Sequence, residues 1–229
     1  FCSYPDKVFA YNIRNDCKKD YTARLAIPYL GSRSEEEGGR TGRVYADGDS
    51  LVLRQFLPLR ECIGEMRLTV LTDGKAVVTD SEIKITDASD VTLLVVLGTN
   101  YKLCPEVFAD DCHKAIGEDP DEELKRREKN ASQKGYKKLY DSHVSDYGEL
   151  MNRAGIDLCG KADNRPIDAL LRSYRSGNNE PYLIETYFQY GRHLLASSSR
   201  KGTPPASLQG TWSAHDKSPW GSGIWHNIN

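Results

Sequence analysis

The sequence predicts an α+β chain in which antiparallel strands come first and helices follow. Short β-prone runs, several of them alternating between apolar and polar residues, recur over residues 1–103. A proline followed by acidic residues at Asp119-Pro120 then marks a helix start, and apolar residues recur at helical spacing beyond it. With 229 residues, 38% of them hydrophobic, the chain can bury one or two cores. A sheet-on-sheet sandwich is the most economical architecture for the first part.

One run of the strand region differs from the others. Val91–Val96 is continuously apolar, which predicts a central strand buried on both faces. Asp73-Gly74 lies between two strand runs and predicts a hairpin turn. The acidic and glycine-rich stretch from Ser34 to Gly42 is expected to form a mobile loop. The other predicted strands cover residues 7–13, 51–54, 66–70, 76–78 and 82–85.

The helical region is expected to begin with a long helical segment. Apolar side chains recur at helical spacing within residues 106–152, which are therefore predicted to be mainly helical. His143 lies on this apolar stripe and is interpreted as a packed residue rather than a ligand. The sequon Asn130-Ala131-Ser132 is interpreted as a chance match, because the protein is expected to be bacterial.

Two further helices are predicted within residues 166–198. Ile167–Tyr174 places its apolar residues on one face and is followed by Gly177, which ends the helix. Pro181 then opens a helix that is apolar nearly all round, and such a helix is expected to be buried. Ahead of this pair, residues 155–158 are predicted to return to the sandwich as a strand.

Charge and composition exclude several classes of partner. A formal net charge of −2, from 31 basic and 33 acidic residues, offers no electrostatic basis for binding nucleic acid. The longest apolar run, Val91–Gly98, is shorter than the ~20 residues that cross a bilayer, so no membrane partner is expected. The six cysteines lack metal-ligand spacing, and neither a metal nor a cofactor is expected. They favour free thiols in a reducing compartment, with a Cys104–Cys112 disulfide as the alternative in an exported protein.

The most unusual stretch of the chain is Pro204–Asn229. It holds all three tryptophans and two of the five histidines, together with glycines and a proline that break regular structure. Indole faces beside amide and imidazole groups are typical of a sugar site, because the C–H face of a sugar ring stacks and its hydroxyls form hydrogen bonds. The alternative is a long loop whose tryptophans fill the core.

Several linked motifs in and before this stretch resemble one enzyme family. They are Tyr187-Phe188-Gln189-Tyr190-Gly191-Arg192-His193-Leu194-Leu195, Ser197-Ser198-Ser199-Arg200, Leu208-Gln209-Gly210-Thr211-Trp212, Pro219-Trp220-Gly221-Ser222 and Asn227-Ile228-Asn229. In this order they resemble glycoside hydrolase family 95, which consists chiefly of α-L-fucosidases.

The resemblance implies a fold of three parts. Residues 1–104 would form part of a β-sandwich domain of the supersandwich type, residues 105–165 a helical linker, and residues 166–229 the first helices of an (α/α)6 catalytic barrel. The chain would then be an internal fragment of a longer enzyme. The family's general acid glutamate and partner aspartate would lie beyond residue 229, so the chain alone is predicted to be inactive.

The resemblance also implies an inverting hydrolase with an unusual base. Inversion needs a carboxylic acid that protonates the leaving oxygen and a base that activates water on the opposite face of the sugar. In this family a pair of asparagines positions the water, helped by a distant aspartate, and the motif falls on Asn227 and Asn229. Neutral amide oxygens accept hydrogen bonds, and residues two apart in an extended segment face the same side. The alternative is that one of the two caps the following helix.

One departure from the family pattern bears on the substrate, which is expected to be an oligosaccharide or glycan. Many family fucosidases place a histidine two residues before the first asparagine, where this chain has Trp225 followed by His226. Either His226 replaces the missing group, or the pocket takes another sugar such as α-L-galactose. Trp220 is a candidate stacking platform, with core filling as its alternative, and Gln209 is a candidate substrate contact.

Two other classes of function remain open at the level of sequence. One is another (α/α)6 enzyme preceded by a sandwich, such as a disaccharide phosphorylase. The other is a non-catalytic carbohydrate-binding protein that kept the sandwich and lost the acid.

Overall fold

The computed structural model describes residues 1–26, 39–58, 61–102, 117–203 and 205–207. The chain divides into two compact units, Phe1–Asp146 and Tyr147–Asn229. The first unit holds the strands and most of a long helix, and the second unit holds the last residues of that helix and two further helices.

The first unit is built on one antiparallel sheet. The described strands form it in the order β1-β2-β7-β5-β4-β3, with β6 paired to β7, and every pairing is antiparallel. The predicted antiparallel architecture is therefore confirmed, and the sheet is consistent with a β-sandwich domain. The strands are β1 (Cys2–Ser3), β2 (Val8–Ala23), β3 (Thr41–Asp47), β4 (Ser50–Leu57), β5 (Cys62–Thr72), β6 (Lys75–Val78) and β7 (Ile83–Thr99).

Strand β7 lies at the centre of the sheet, where the continuous apolar run predicted it. It pairs with β2 on one side and with β5 on the other. Val91, Leu94 and Val96 are each no more than 2% exposed. Residues 82–85 and 91–96 were expected as separate strands, but they are joined in one strand because residues between them pair with β2.

The turn at Asp73-Gly74 exists, but the predicted hairpin does not. Strand β6 pairs with β7 instead of with β5. Asp73 explains the difference, because its carboxylate accepts hydrogen bonds from the Ser89 backbone N–H at 2.9 Å and the Ser89 hydroxyl at 2.6 Å. The turn is therefore attached to β7, and β6 continues along that strand.

The sheet contributes residues to two separate apolar clusters. On one face Val8, Ala10, Leu94 and Val96 pack against helix α1 (Asp121–Met151). A second core forms among residues that come largely from β4, β5 and the first half of β7, and its buried members are Leu51, Leu68, Ile83, Ile85, Ala88 and Val91. Burial of apolar side chains in each cluster stabilises the fold by about 0.8 kcal/mol for each methylene group that is removed from water.

Two strand segments show little alternation of apolar and polar residues and were not predicted. Strand β2 continues to Ala23 through a polar stretch, where Lys19 pairs with Ala88 and Tyr21 with Ile85. Strand β3 begins at Thr41, so the last two residues of the predicted loop 34–42 are in a strand. Pairing with β4 over the whole of β3 explains why a sequence with little alternation forms a strand there.

Helix α1 begins where the proline and acidic residues predicted it. Asp121, Glu122 and Glu123 lie in its first turn, where carboxylates are favourable beside the positive end of the helix dipole. Residues 117–120 are not helical, and residues 103–116 lie outside the described residues. The helix is interrupted at Gly135, whose φ of 71° and ψ of 162° are not helical.

The second unit contains α2 (Ile167–Arg175) and α3 (Pro181–Ser198). Both helices confirm their predictions, including Pro181 in the first turn of α3. Residues 155–158 form no strand, because the Leu158 N–H is bonded to the Glu185 carboxylate instead of to a neighbouring strand.

Among the described residues, the third helix is buried on one side only, and its burial within a barrel stays a prediction. Leu183 is the buried residue of α3, at 6% exposure, whereas Tyr187 is 76% exposed and Leu195 is 63% exposed. The described residues therefore cover only one side of this helix.

Candidate functional site

The six residues predicted for the site lie outside the described part of the chain. These residues are Gln209, Trp220, Trp225, His226, Asn227 and Asn229. Their roles stay predictions. The described residues show the helices and turns that precede them in the chain.

The serine-rich motif at the end of α3 forms a turn that leads towards the predicted site stretch. The Ser198 hydroxyl donates to the Leu194 carbonyl at 2.7 Å, one helical turn back. After the helix, Thr203 donates from its hydroxyl to the Arg200 carbonyl at 2.7 Å. The Ala206 N–H donates to the Ser199 hydroxyl at 3.0 Å, so the motif fixes the path of the chain to residue 206.

An open depression of about 570 Å³ lies in the second unit beside α3. Side chains of α3 form one wall, and the end of α1 with the segment after it forms the other. Its lining residues are Tyr147, Met151, Ile156, Tyr182, Glu185, Thr186, Gln189, Tyr190 and His193.

A tyrosine–histidine pair joins the two walls of the depression. The Tyr147 hydroxyl lies 2.7 Å from Nδ1 of His193, and the two rings meet edge to face at 5.8 Å between centroids. Burial raises the pKa of Tyr147, so its hydroxyl remains protonated at neutral pH and can donate to the histidine nitrogen. Sequence reasoning found His193 in the family motif but not its partner, because 46 residues separate the two.

Arg192, the neighbour of His193, holds the end of α1. Its guanidinium donates to the carbonyls of Leu150 at 3.2 Å and Met151 at 3.0 Å, and to the carbonyl of Ala154. It also donates to Oε1 of Gln189 at 2.8 Å. A cation at carbonyls left free by a helix end is favourable, so Arg192 has a structural role here.

Glu185 is the carboxylate that lines the depression, and it accepts hydrogen bonds from backbone N–H groups. Its Oε1 accepts from the N–H of Leu158 at 2.6 Å and of Gly160 at 3.2 Å. A Cβ on Gly160 would lie 2.7 Å from the Tyr182 nitrogen, so the close approach of this segment to α3 requires glycine. Glu185 therefore anchors residues 158–160 to α3.

Further observations concern metals, thiols and membranes. Within the described ranges, no group of histidine, cysteine, aspartate and glutamate side chains is placed to hold a metal ion. Cys2, Cys17, Cys62 and Cys159 are free thiols, while Cys104 and Cys112 lie outside the described residues. In the part of the chain that the structure describes, no helix is long and apolar enough to cross a membrane.

Comparison with known families gives the class of the protein. Residues 135–229 match the sequence model of the Glycosyl hydrolase family 95 catalytic domain. Residues 1–103 match that of the Glycosyl hydrolase family 65, N-terminal domain. The strands thus fall in a match to an N-terminal domain of glycosyl hydrolases, and helices α2 and α3 fall in a match to a catalytic domain of glycosyl hydrolases.

Curated relatives of similar sequence carry α-fucosidase names. Probable alpha-fucosidase A of Aspergillus niger is 33% identical over 240 residues, which cover 100% of this chain and 29% of that protein. The protein of the same name from Aspergillus oryzae is 29% identical over 239 residues, covering 100% and 32%. Alpha-L-fucosidase 2 of Arabidopsis thaliana is 38% identical over 117 residues, covering 48% and 14%.

The predicted resemblance is confirmed: the chain is family 95-like, with the family match over residues 135–229 and α-fucosidase relatives aligned over all of its residues. It spans 29% and 32% of the two fungal relatives, which is less than a third of their length. These relatives come from fungi and a plant, and the bacterial source stays a prediction.

Proposed function

We propose that the protein is an inverting exo-glycosidase that releases a terminal α-L-fucose, or a related L-sugar, from oligosaccharides or glycans. The observation that carries the proposal is the match of residues 135–229 to the family 95 catalytic domain. Three relatives whose names identify them as α-fucosidases support the same substrate class.

In the proposed mechanism, Asn227 and Asn229 hold the attacking water through their amide oxygens. A carboxylate elsewhere in the protein removes the proton from this water, because an amide is too weakly basic to do so near neutral pH. A second carboxyl group protonates the leaving oxygen on the opposite face of the sugar. The asparagines thereby hold the water in the geometry of attack. This positioning removes a large part of the activation barrier of a reaction with water.

The helical half of the chain is proposed to belong to an (α/α)6 barrel. Exposed apolar and aromatic side chains on both helices support this, among them Leu171, Tyr174, Tyr187 and Leu195, which are 39%, 51%, 76% and 63% exposed. A helix pair with this much apolar surface in water is typical of part of a larger helical domain.

The identity of the preferred sugar depends on the side chain that contacts its sixth carbon. Trp225 stands where many family fucosidases have histidine, and an indole cannot accept a hydrogen bond from a hydroxyl as a neutral imidazole can. This substitution favours α-L-galactose as the second candidate substrate. Aryl α-L-fucoside and aryl α-L-galactoside, compared at equal concentration with the full-length protein, distinguish the two.

Substitution of the asparagine pair tests the mechanism. In the full-length protein, Asn227→Ala or Asn229→Ala is expected to lower kcat on the order of 10²-fold, because the water loses its position, while the melting temperature changes little. Steady-state hydrolysis of an aryl α-L-fucoside and thermal melting are measured on the same samples.

Asn178→Ala is the matched control, because this exposed asparagine contacts Ser173 in the turn after α2. It is expected to leave kcat unchanged. If the site substitutions instead cost about 1 kcal/mol of stability and leave kcat intact, the asparagines cap a helix and the proposed mechanism fails.

A further inference from the structure

Helix α1 changes its backbone geometry at the residue where the catalytic-domain match begins. The N-terminal match ends at residue 103, the catalytic match begins at residue 135, and α1 runs across the second of these positions. Gly135 has φ 71° and ψ 162°, a conformation essentially restricted to glycine. Apart from its chain neighbours and the backbone of its own helix, the described residues place nothing within 4 Å of the position that a Cβ on Gly135 would occupy.

The segment before Gly135 is attached to the sheet by a buried charge. Arg67 of β5 has a side chain only 3% exposed, and its Nε donates to Glu128 of α1 at 2.9 Å. The Arg67 Nη1 also lies 3.3 Å from Asp121 of α1. Glu128 accepts further hydrogen bonds from the hydroxyls of Ser50, at 2.6 Å, and Thr69. Two turns of the helix thus rest on polar side chains of the sheet.

The same guanidinium is held by carboxylates of the sheet. Its Nη2 lies 2.8 Å from Asp47 of β3, and its Nη1 lies 3.3 Å from Glu65 of β5. Glu65 also binds Arg54, which pairs with Asp119 just before the helix. Removal of one partner from such a network is strongly destabilising, because an uncompensated charge is left in a buried place.

The segment after Gly135 shares one apolar core with Leu124 and Ala131 of the segment before it, and it adds contacts between aromatic rings. Leu139 is fully buried in the core that contains Val8 and Ala10. The rings of Tyr136 and His143 lie 5.5 Å and 5.0 Å from the ring of Phe1. Residues up to 146 belong to the first compact unit, so Gly135 lies inside that unit.

We infer that Gly135 is a joint that divides α1 into two segments which open independently. Helical order propagates through consecutive residues with helical backbone, and a residue outside that geometry interrupts the propagation. The charge contacts with the sheet lie only before Gly135, so residues 121–134 open when that network is lost. Residues 136–151 stay held by the contacts of Tyr136 and His143 with Phe1 and by the buried Leu139. Opening of residues 121–134 therefore does not extend into residues 136–151, which are among the first residues matched to the catalytic domain.

Hydrogen exchange measured by mass spectrometry on the full-length protein tests this inference. Glu128→Gln keeps the shape of the side chain and removes the charge that faces Arg67. Amides of residues 121–134 are expected to exchange about tenfold faster or more, while those of residues 136–151 stay within about twofold of the parent. Asp141→Asn is the control, because the Lys137–Asp141 pair is solvent-exposed on the same helix, and it leaves both segments unchanged.

A second pair of variants tests the joint itself. Gly135→Ala, combined with Glu128→Gln, should extend the fast exchange into residues 136–151, because alanine favours a continuous helix. Gly148→Ala is the matched control, since this glycine lies in the same helix with ordinary contacts. Should Glu128→Gln fail to fold, Asp121→Asn removes a longer and more exposed contact to the same guanidinium. Equal acceleration on both sides of Gly135, or none on either side, overturns the inference.

Discussion

At the scale of single residues, Gly74 shows how one missing side chain fixes a strand pairing. A Cβ at this position would lie 2.3 Å from the Thr86 carbonyl oxygen and 2.8 Å from that of Asp87. Both obstacles are backbone, which cannot move aside as a flexible side chain can. The turn before β6 therefore lies against β7 at a distance that only glycine permits.

Gly74→Ala is expected to lower the free energy of unfolding by about 1–3 kcal/mol, the usual cost of forcing extra volume into a close contact. Chemical denaturation followed by circular dichroism measures the change. Gly64→Ala in β5 is the control, because no residue in the described ranges other than its chain neighbours lies within 4 Å of its Cβ position. It should change stability by less than about 0.5 kcal/mol. Equal losses for the two variants would show that the close approach to β7 is not the cause.

Arg192 is a second residue whose surroundings define its role. Its guanidinium satisfies three backbone carbonyls and one amide oxygen. Arg192→Met is therefore expected to destabilise the protein by about 1–3 kcal/mol, because these mostly half-buried acceptors lose a charged donor. Arg153→Met is the control, since Arg153 forms an exposed pair with Glu149 on the helix surface, and pairs of that kind contribute about 0.3–0.5 kcal/mol. A melting temperature unaffected by Arg192→Met would contradict the capping role.

At the scale of elements, the sequence predicted those whose signal is local. Helix α1 starts at its proline and acidic residues, and β7 lies where the continuous apolar run placed a central strand. Strand β2 was only half predicted, because its second half is polar and is a strand through pairing with β7. Residues 155–158 were misjudged for the converse reason, since apolar residues there are held by the carboxylate of Glu185.

The candidate site likewise combines motifs that are local in the sequence with contacts between residues that are distant in the sequence. The motifs that identify the family are contiguous in the chain, and the match over residues 135–229 confirms what they indicated. The contacts that hold α3 are not contiguous. Arg192 reaches carbonyls about 40 residues away, and His193 meets a tyrosine 46 residues away. No periodicity in the sequence encodes such pairs, so only the structure shows them.

At the scale of the whole molecule, ionised carboxylates link the strands to one another and to α1. The hydrogen bond from Arg67 holds the pKa of Asp47 below its usual range, and that from Arg54 does the same for the pKa of Asp119. The hydrogen bond from the Ser89 hydroxyl, with those from backbone N–H groups, lowers the pKa of Asp73 to about 2. All three groups lose protons more readily in the folded protein than in the unfolded chain.

The pH dependence of stability follows from the sign of these shifts. A carboxylate whose folded pKa lies below its unfolded value of 3.8 contributes its full stabilisation above that value. The contribution is lost as the pH falls through the lower folded pKa, because the protons then bind both states.

The melting temperature of the full-length protein is therefore expected to change little between about pH 7 and pH 5 and to fall steeply below about pH 4. Differential scanning calorimetry at half-unit steps of pH measures the curve. Asp47→Asn should make the acid-induced fall shallower, since the variant no longer has this carboxylate to protonate. A melting temperature that already falls between pH 7 and pH 5 would show that groups other than these aspartates control acid stability.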